Sequence, residues 1–160
     1  MREVKKIKSA EMFPVIIEIL EGGGRAWITV TGMSMYPFLR EDEDCVELSP
    51  TSIISIKRGD IVLIKRVTGE YILHRVLKRE KESFYIIGDA QQWIEGPLMP
   101  EQLIAVVTAV KRNNRQFTCQ NKIWKLLVRI WINVIPLRHL FLKGIRFFAK
   151  AKRVIIHAQA

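Results

Sequence analysis

Between Ala26 and Cys119 the chain falls into short apolar-rich runs, none longer than 9 residues, separated by turn-forming pairs. The runs are 26–31, 44–48, 60–66, 70–78, 83–88, 103–111 and 115–119. Arg58-Gly59, Thr68-Gly69, Lys81-Glu82 and Asn113-Asn114 interrupt them. A helix needs a longer apolar period than such runs provide, whereas a strand of 4–8 residues does not. The spacing therefore predicts a mainly β, compact antiparallel domain, with hairpins at Thr68-Gly69 and Asn113-Asn114. At 160 residues the chain has room for one such domain and a sizeable core.

Helical patterns flank the β region. Met12, Phe13, Ile16, Ile17 and Leu20 fall on one face of a short amphipathic helix over 9–21, with Ser9 as its N-cap and Gly22-Gly23-Gly24 as its end. Beyond residue 121, Ile123, Leu127, Ile130, Val134, Leu137, Phe141, Ile145 and Phe148 step by three or four, and basic residues stand mostly opposite. Pro136 should kink or split this second helix. The division expected is an N-terminal helix and linker over 1–25, a β-domain over 26–120 and a basic helical tail over 121–160.

The net charge of +10 first suggests nucleic acid, but its distribution does not. Residues 1–110 hold 14 Lys/Arg and 16 Asp/Glu, whereas residues 111–160 hold 12 Lys/Arg and no acid. No glycine-rich, base-stacking or helix-turn-helix context accompanies these cations, which argues against nucleic acid as the partner. A basic face beside apolar residues instead suits a helix lying on an anionic membrane surface, with Trp124, Trp131, Phe141 and Phe148 as the contacting residues. The competing reading packs the helix on the domain's own sheet or on a partner. The longest uncharged stretch there, Ile130–Leu137, has 8 residues, too few to span a bilayer. Glu11 and Glu18 interrupt the first apolar run, so a secretory signal is not expected. Cys45, Cys119 and three scattered histidines form neither a disulfide framework nor a metal site.

Chemistry concentrates in four places. Thr31-Gly32-Met33-Ser34-Met35-Tyr36-Pro37-Phe38-Leu39 sets a serine after a strand and between two methionines. Gly59-Asp60-Ile61-Val62 opens a strand, His74-Arg75-Val76 lies within the next, and Gly88-Asp89 closes a third. A serine hydroxyl becomes a nucleophile at neutral pH when a base takes its proton and donors stabilise the oxyanion. Histidine, with an ordinary pKa of about 6.5, is a competent neutral base at pH 7.

These four runs, in this order, resemble the boxes of type I signal peptidases and of the wider signal peptidase and LexA-like self-cleaving repressor superfamily. The resemblance covers roughly residues 26–110. It implies that Ser34 is the nucleophile, that His74 is the general base and that Asp89 orients His74, with Glu95 as the alternative third acid. It also implies oxyanion stabilisation by the Ser34 N–H, aided by the Thr31 hydroxyl, and an apolar rim of Met33, Met35, Tyr36 and Phe38. The bacterial signal peptidases and the repressors carry lysine at the position of His74, so this chain is similar to the histidine-base, endoplasmic-reticulum and archaeal type. Lys65, Arg66 and Lys78 do not align with the base position.

By resemblance the activity is serine endopeptidase cleavage of a signal or leader peptide after small residues, without metal or organic cofactor, at the cell membrane. The sequence leaves the membrane face open. Activity should rise with pH through roughly 6–7 as histidine loses its proton. Phe38, Ala90 and Ala105 depart from the family's usual small polar residue, asparagine and glycine, and no N-terminal anchor stands before the first box. Two alternatives compete: a self-cleaving repressor, whose DNA-binding domain has little room in the 25 residues before Ala26, and a non-catalytic membrane- or nucleic-acid-binding module on the same fold.

Overall fold

The computed structural model describes residues 9–138 and residue 144. Helix α1 (Ser9–Glu21) leads into strands β1 (Ala26–Thr29), β2 (Asp44–Ser49), β3 (Ile61–Lys65), β4 (Tyr71–Arg79), β5 (Phe84–Ile87), β6 (Glu95–Leu98), β7 (Leu103–Arg112) and β8 (Arg115–Thr118). Helix α2 (Lys122–Asn133) and a 3-10 turn at Ile135–Leu137 follow. The strands form one antiparallel sheet in the order β1-β2-β7-β3-β4-β5-β6, with β8 paired to β7.

Both sides of the central strand are buried, and its sequence shows why. Ile61-Val62-Leu63-Ile64 lacks a polar alternation, so β3 cannot expose either face to water. Its alternate residues feed two cores. Ile61 and Leu63 join Val46, Leu48, Val107 and Val110, roofed by Phe13, Ile16 and Leu20 of α1. Val62 and Ile64 join Ile56, Val76, Phe84, Ile86 and Leu98 on the other side. Phe13 also stacks on Tyr71 of β4, with ring centroids 4.2 Å apart, which fixes α1 against the sheet.

The two expected hairpins form where the turn chemistry allows. Asn113 and Asn114 adopt φ of 48° and 61°, the left-handed pair that a two-residue hairpin requires. Two features differ from expectation. Residues 95–98 form a strand, although Glu-Gly-Pro-Leu carries two breakers. It survives at the sheet's edge by pairing with β5 through Phe84↔Leu98 and Ile86↔Glu95.

Helix α2 ends at Asn133, before Pro136, as that proline requires; the second difference is the face it buries. Its buried residues are Val128 and Ile132, whereas Ile123, Leu127 and Ile130 of the expected apolar face are exposed. Gly59 lets this helix come close: at φ of 100°, a Cβ there would stand 3.1 Å from the Val128 side chain. No helix of the described residues is long and apolar enough to cross a membrane.

Candidate active site

The segment after β1 is a tethered turn. Leu39 N–H donates to the Met35 carbonyl at 2.9 Å and Tyr36 N–H to that of Met33 at 3.2 Å. Met35 and Leu39 are buried in the α1-side core and anchor the turn from beneath. Gly32 N–H donates to Glu41 at 2.9 Å at the entrance. At the exit, Asp44 takes a two-pronged ion pair from Arg112, at 2.7 and 2.6 Å. The same guanidinium donates to the Phe38 carbonyl at 2.9 Å. Such fixing matters because a nucleophile must be held within a fraction of an ångström of productive geometry.

Ser34 rides on this turn, partly exposed. Its carbonyl accepts the Ala90 N–H at 2.8 Å, which ties it to the loop following β5. Among the described residues, its own N–H donates to no acceptor. Met33 is 48% exposed beside it, while Phe38 lies half-buried. Thr31 is exposed at the start of the turn.

His74 approaches from β4. The β4–β5 register ends at Arg75 paired with Ile87, so His74 directly precedes the last pair and Gly88 directly follows it. Gly88 separates it from the serine turn: a Cβ there would lie 2.8 Å from the Ser34 carbonyl oxygen and 2.6 Å from Gln91 Oε1. Only glycine lets the Ser34 carbonyl and the Gln91 side chain approach the chain this closely. The β4–β5 ladder and the Ala90-to-Ser34 hydrogen bond thus bring the strand carrying His74 and the serine turn to one corner of the sheet. No hydrogen bond links Ser34 to His74 among the described residues.

The imidazole is almost wholly buried, and its Nδ1 has no hydrogen-bond partner. Burial pushes the His74 pKa down to about 4, an effect that the Glu95 carboxylate opposes and the Arg66 guanidinium reinforces. The ring is therefore neutral at pH 7 and free to accept a proton. This moves the expected pH window from 6–7 down to about 4, because desolvation outweighs the neighbouring carboxylate.

The two candidate acids have different partners. Asp89 is wholly buried, with both oxygens held by Arg75, at 2.8 Å from Nε and 2.5 Å from Nη2. Arg75 also donates to the Gly59 carbonyl at 2.7 Å and lies 4.8 Å from the Phe38 ring centre. Asp89, expected to orient His74, sets both oxygens on the neighbouring Arg75, and no hydrogen bond joins it to His74 among the described residues. The reason is strand alternation, which turns His74 and Arg75 to opposite faces. Glu95 is the carboxylate beside His74, with Oε2 3.9 Å from Nδ1. That is too long for a hydrogen bond. Arg66 grips Glu95 at 2.7 and 2.6 Å and holds its pKa below the usual carboxylate range. Arg66, Arg75 and β6 itself were not recognised from the sequence. The signal in the sequence is an arginine inside an apolar strand run, Tyr71–Leu77, which needs a carboxylate partner without saying which one.

Helix α2 and the turn after it close over the same corner. Trp131 Nε1 donates to the Asp89 carbonyl at 3.1 Å, and buried Arg138 donates to that of Gly88 at 3.2 Å. The rings of Trp124 and Trp131 meet Phe38 edge-on, with centroids 5.2 and 5.9 Å away. Both tryptophans expected to touch lipid are thus packed against the domain. Phe141 and Phe148, the other two, lie outside the described residues. Cys45 and Cys119 are free thiols, and burial pushes Cys119 up to about 11, which leaves it unreactive.

An antiparallel sheet carrying a tethered serine turn and a buried, neutral histidine suits a serine-type peptidase. The chain belongs to the Peptidase S24-like family, whose model matches residues 2–110. The family lies within the superfamily of signal peptidases and self-cleaving repressors, and it is serine-peptidase in kind. No curated protein matches the chain.

Proposed function

We propose that the chain is a signal-peptidase-like serine endopeptidase with a histidine base, cleaving a signal or leader peptide after small residues. Ser34 Oγ attacks the scissile carbonyl as His74 takes its proton. The oxyanion is received by the Ser34 N–H, which has no acceptor of its own among the described residues. His74 then protonates the leaving amine, and water, activated by the same ring, hydrolyses the acyl-enzyme.

Glu95 stabilises the transient imidazolium across Nδ1. A closure of about 1 Å converts their present separation into a charge-assisted hydrogen bond, a tightening common on passing from the free to the loaded site. Asp89 acts one step removed, holding Arg75 and the loop that carries Gly88. Thr31 has no role in this scheme.

The observation that carries the reading is His74 itself: a buried, neutral imidazole with an uncommitted Nδ1, on the strand paired with the one that runs into Gly88, where an added Cβ would meet the Ser34 carbonyl. A histidine serving only the fold would have its ring nitrogens satisfied. The test is incubation with a leader peptide bearing small residues at the first and third positions before the cut, read by mass spectrometry. The wild-type chain should cleave it, while Ser34→Ala and His74→Gln should each lose at least about a thousandfold in rate and keep the fold. A fully active Ser34→Ala variant overturns the proposal.

A further inference from the structure

Helix α2 uses one face to cover the catalytic corner and leaves a second apolar face uncovered. Ile123, Leu126, Leu127 and Ile130 are 70%, 58%, 51% and 52% exposed. Their spacing of three, four and seven residues aligns them in one stripe along the helix. Four large aliphatic side chains in contiguous exposure exceed the scattered apolar residues of an ordinary surface.

One flank of the stripe is basic. Lys122, Lys125 and Arg129 are exposed, and α2 contains no acidic residue. Lys125 and Arg129 overhang a cavity of about 480 Å³ between α2 and the turn before β3, where Lys57 and Arg58 add two further cations against the single carboxylate of Asp60. Arg58 donates to Asn133 at 3.2 Å, which turns it toward the helix. The charge continues along the chain: residues 111–160 carry 12 Lys/Arg and no acid.

We propose that this outer face of α2 docks the protein on an anionic lipid surface. The Ile123–Ile130 stripe enters the boundary between headgroups and acyl chains, and Lys125, Arg129, Lys57 and Arg58 meet the lipid phosphates. A stripe of aliphatic residues flanked by cations on one side is what an in-plane amphipathic helix requires. A partner protein would need an acidic surface complementary to a long tract lacking any acid, and an uncharged partner leaves the cations unpaired. The docking face differs from the tryptophan face, which the domain already occupies. It also stands independently of the peptidase reading, because neither Ser34 nor His74 takes part.

The test is flotation of the full chain with vesicles of phosphatidylcholine alone and of phosphatidylcholine mixed with phosphatidylglycerol. The wild-type chain should float with the anionic vesicles and remain behind with the neutral ones. Replacing the stripe (Ile123→Ser, Leu127→Ser and Ile130→Ser together) should weaken anionic binding about a hundredfold. Lys125→Gln with Arg129→Gln should weaken it about thirtyfold, at roughly tenfold or less per cation. These positions are exposed, so melting temperature and peptide cleavage in solution should match wild type; Leu127→Glu alone provides a second variant with the same expected direction. Three results overturn the proposal: no wild-type binding to anionic vesicles, wild-type binding by the stripe variants, or a dimer in light scattering that the stripe variants dissolve.

Discussion

His74 and Arg75 are neighbours on one strand, both buried and each with a carboxylate within 4 Å, yet they do opposite things. Arg75 and Asp89 form a closed pair. Both carboxylate oxygens and three guanidinium donors are engaged, and neither side chain reaches solvent. His74 and Glu95 form an open one. The ring holds a bare Nδ1, the carboxylate is partly exposed, and the gap is 3.9 Å. A saturated pair has nothing left to offer a reaction and stabilises structure; an unsaturated one carries a desolvation cost and keeps a proton site available. Adjacent residues with similar burial are thus distinguished by what remains unsatisfied.

The sharpest way to break this contrast is to open the closed pair. Asp89→Asn leaves the Arg75 charge buried without its counter-ion, and it should destabilise the fold by about 3–5 kcal/mol in urea unfolding. A variant that keeps its unfolding midpoint and loses only cleavage would return Asp89 to the catalytic group. The open pair is probed by acid. The folded pKa of His74, about 4, lies below its unfolded value of about 6.5, so the stabilisation from keeping it neutral is complete above about 6.5. It fades as pH falls through about 4, for a total of about 3 kcal/mol. Unfolding of wild type and His74→Gln should therefore diverge over that window, and parallel curves would mean that the ring is not desolvated.

Gly88 sits where the two systems meet. Gly88→Ala drives a methyl group against the Ser34 carbonyl oxygen, and it should lower stability by about 1–3 kcal/mol and slow cleavage together. Wild-type kinetics in this variant would show that the serine turn does not depend on the loop after β5. Glu95→Gln should have the smallest effect on the fold, under about 1 kcal/mol, because its ion pair with Arg66 is partly solvated. Its mark should be kinetic: a rate lower by about tenfold, and an acid limb shifted to lower pH, since Glu95 is the group raising the His74 pKa. Asp89 and Glu95 variants that behave alike would erase the distinction.

The sequence made the β-domain legible because its strands have turn chemistry at their ends, as at Asn113-Asn114, and apolar residues at regular intervals. The serine turn and the strand carrying His74 were legible for the same reason, reinforced by the order of the boxes. What stayed hidden was side-chain pairing across the sheet. Asp89 follows Gly88 in a run that reads as a catalytic closing box, and nothing local reveals that Arg75 takes both its oxygens. Glu95 lay in a segment that Gly96 and Pro97 made unreadable as a strand; pairing with β5 overrides those breakers. In α2 the periodicity located an apolar stripe but could not say which of two apolar faces meets the domain. Trp124, Val128, Trp131 and Ile132 pack inward, leaving the more regular stripe outside.

The central claim is that a neutral, buried His74 activates Ser34. The direct measurement is the pH dependence of kcat/KM for cleavage of a small-residue leader peptide by wild type and by His74→Gln. The account predicts that wild-type activity rises through about pH 4 and is level at neutrality, and that His74→Gln is inactive throughout. Activity that appears only as a group of lysine-like pKa, about 10, is deprotonated, or a His74→Gln variant with the wild-type profile, would contradict it.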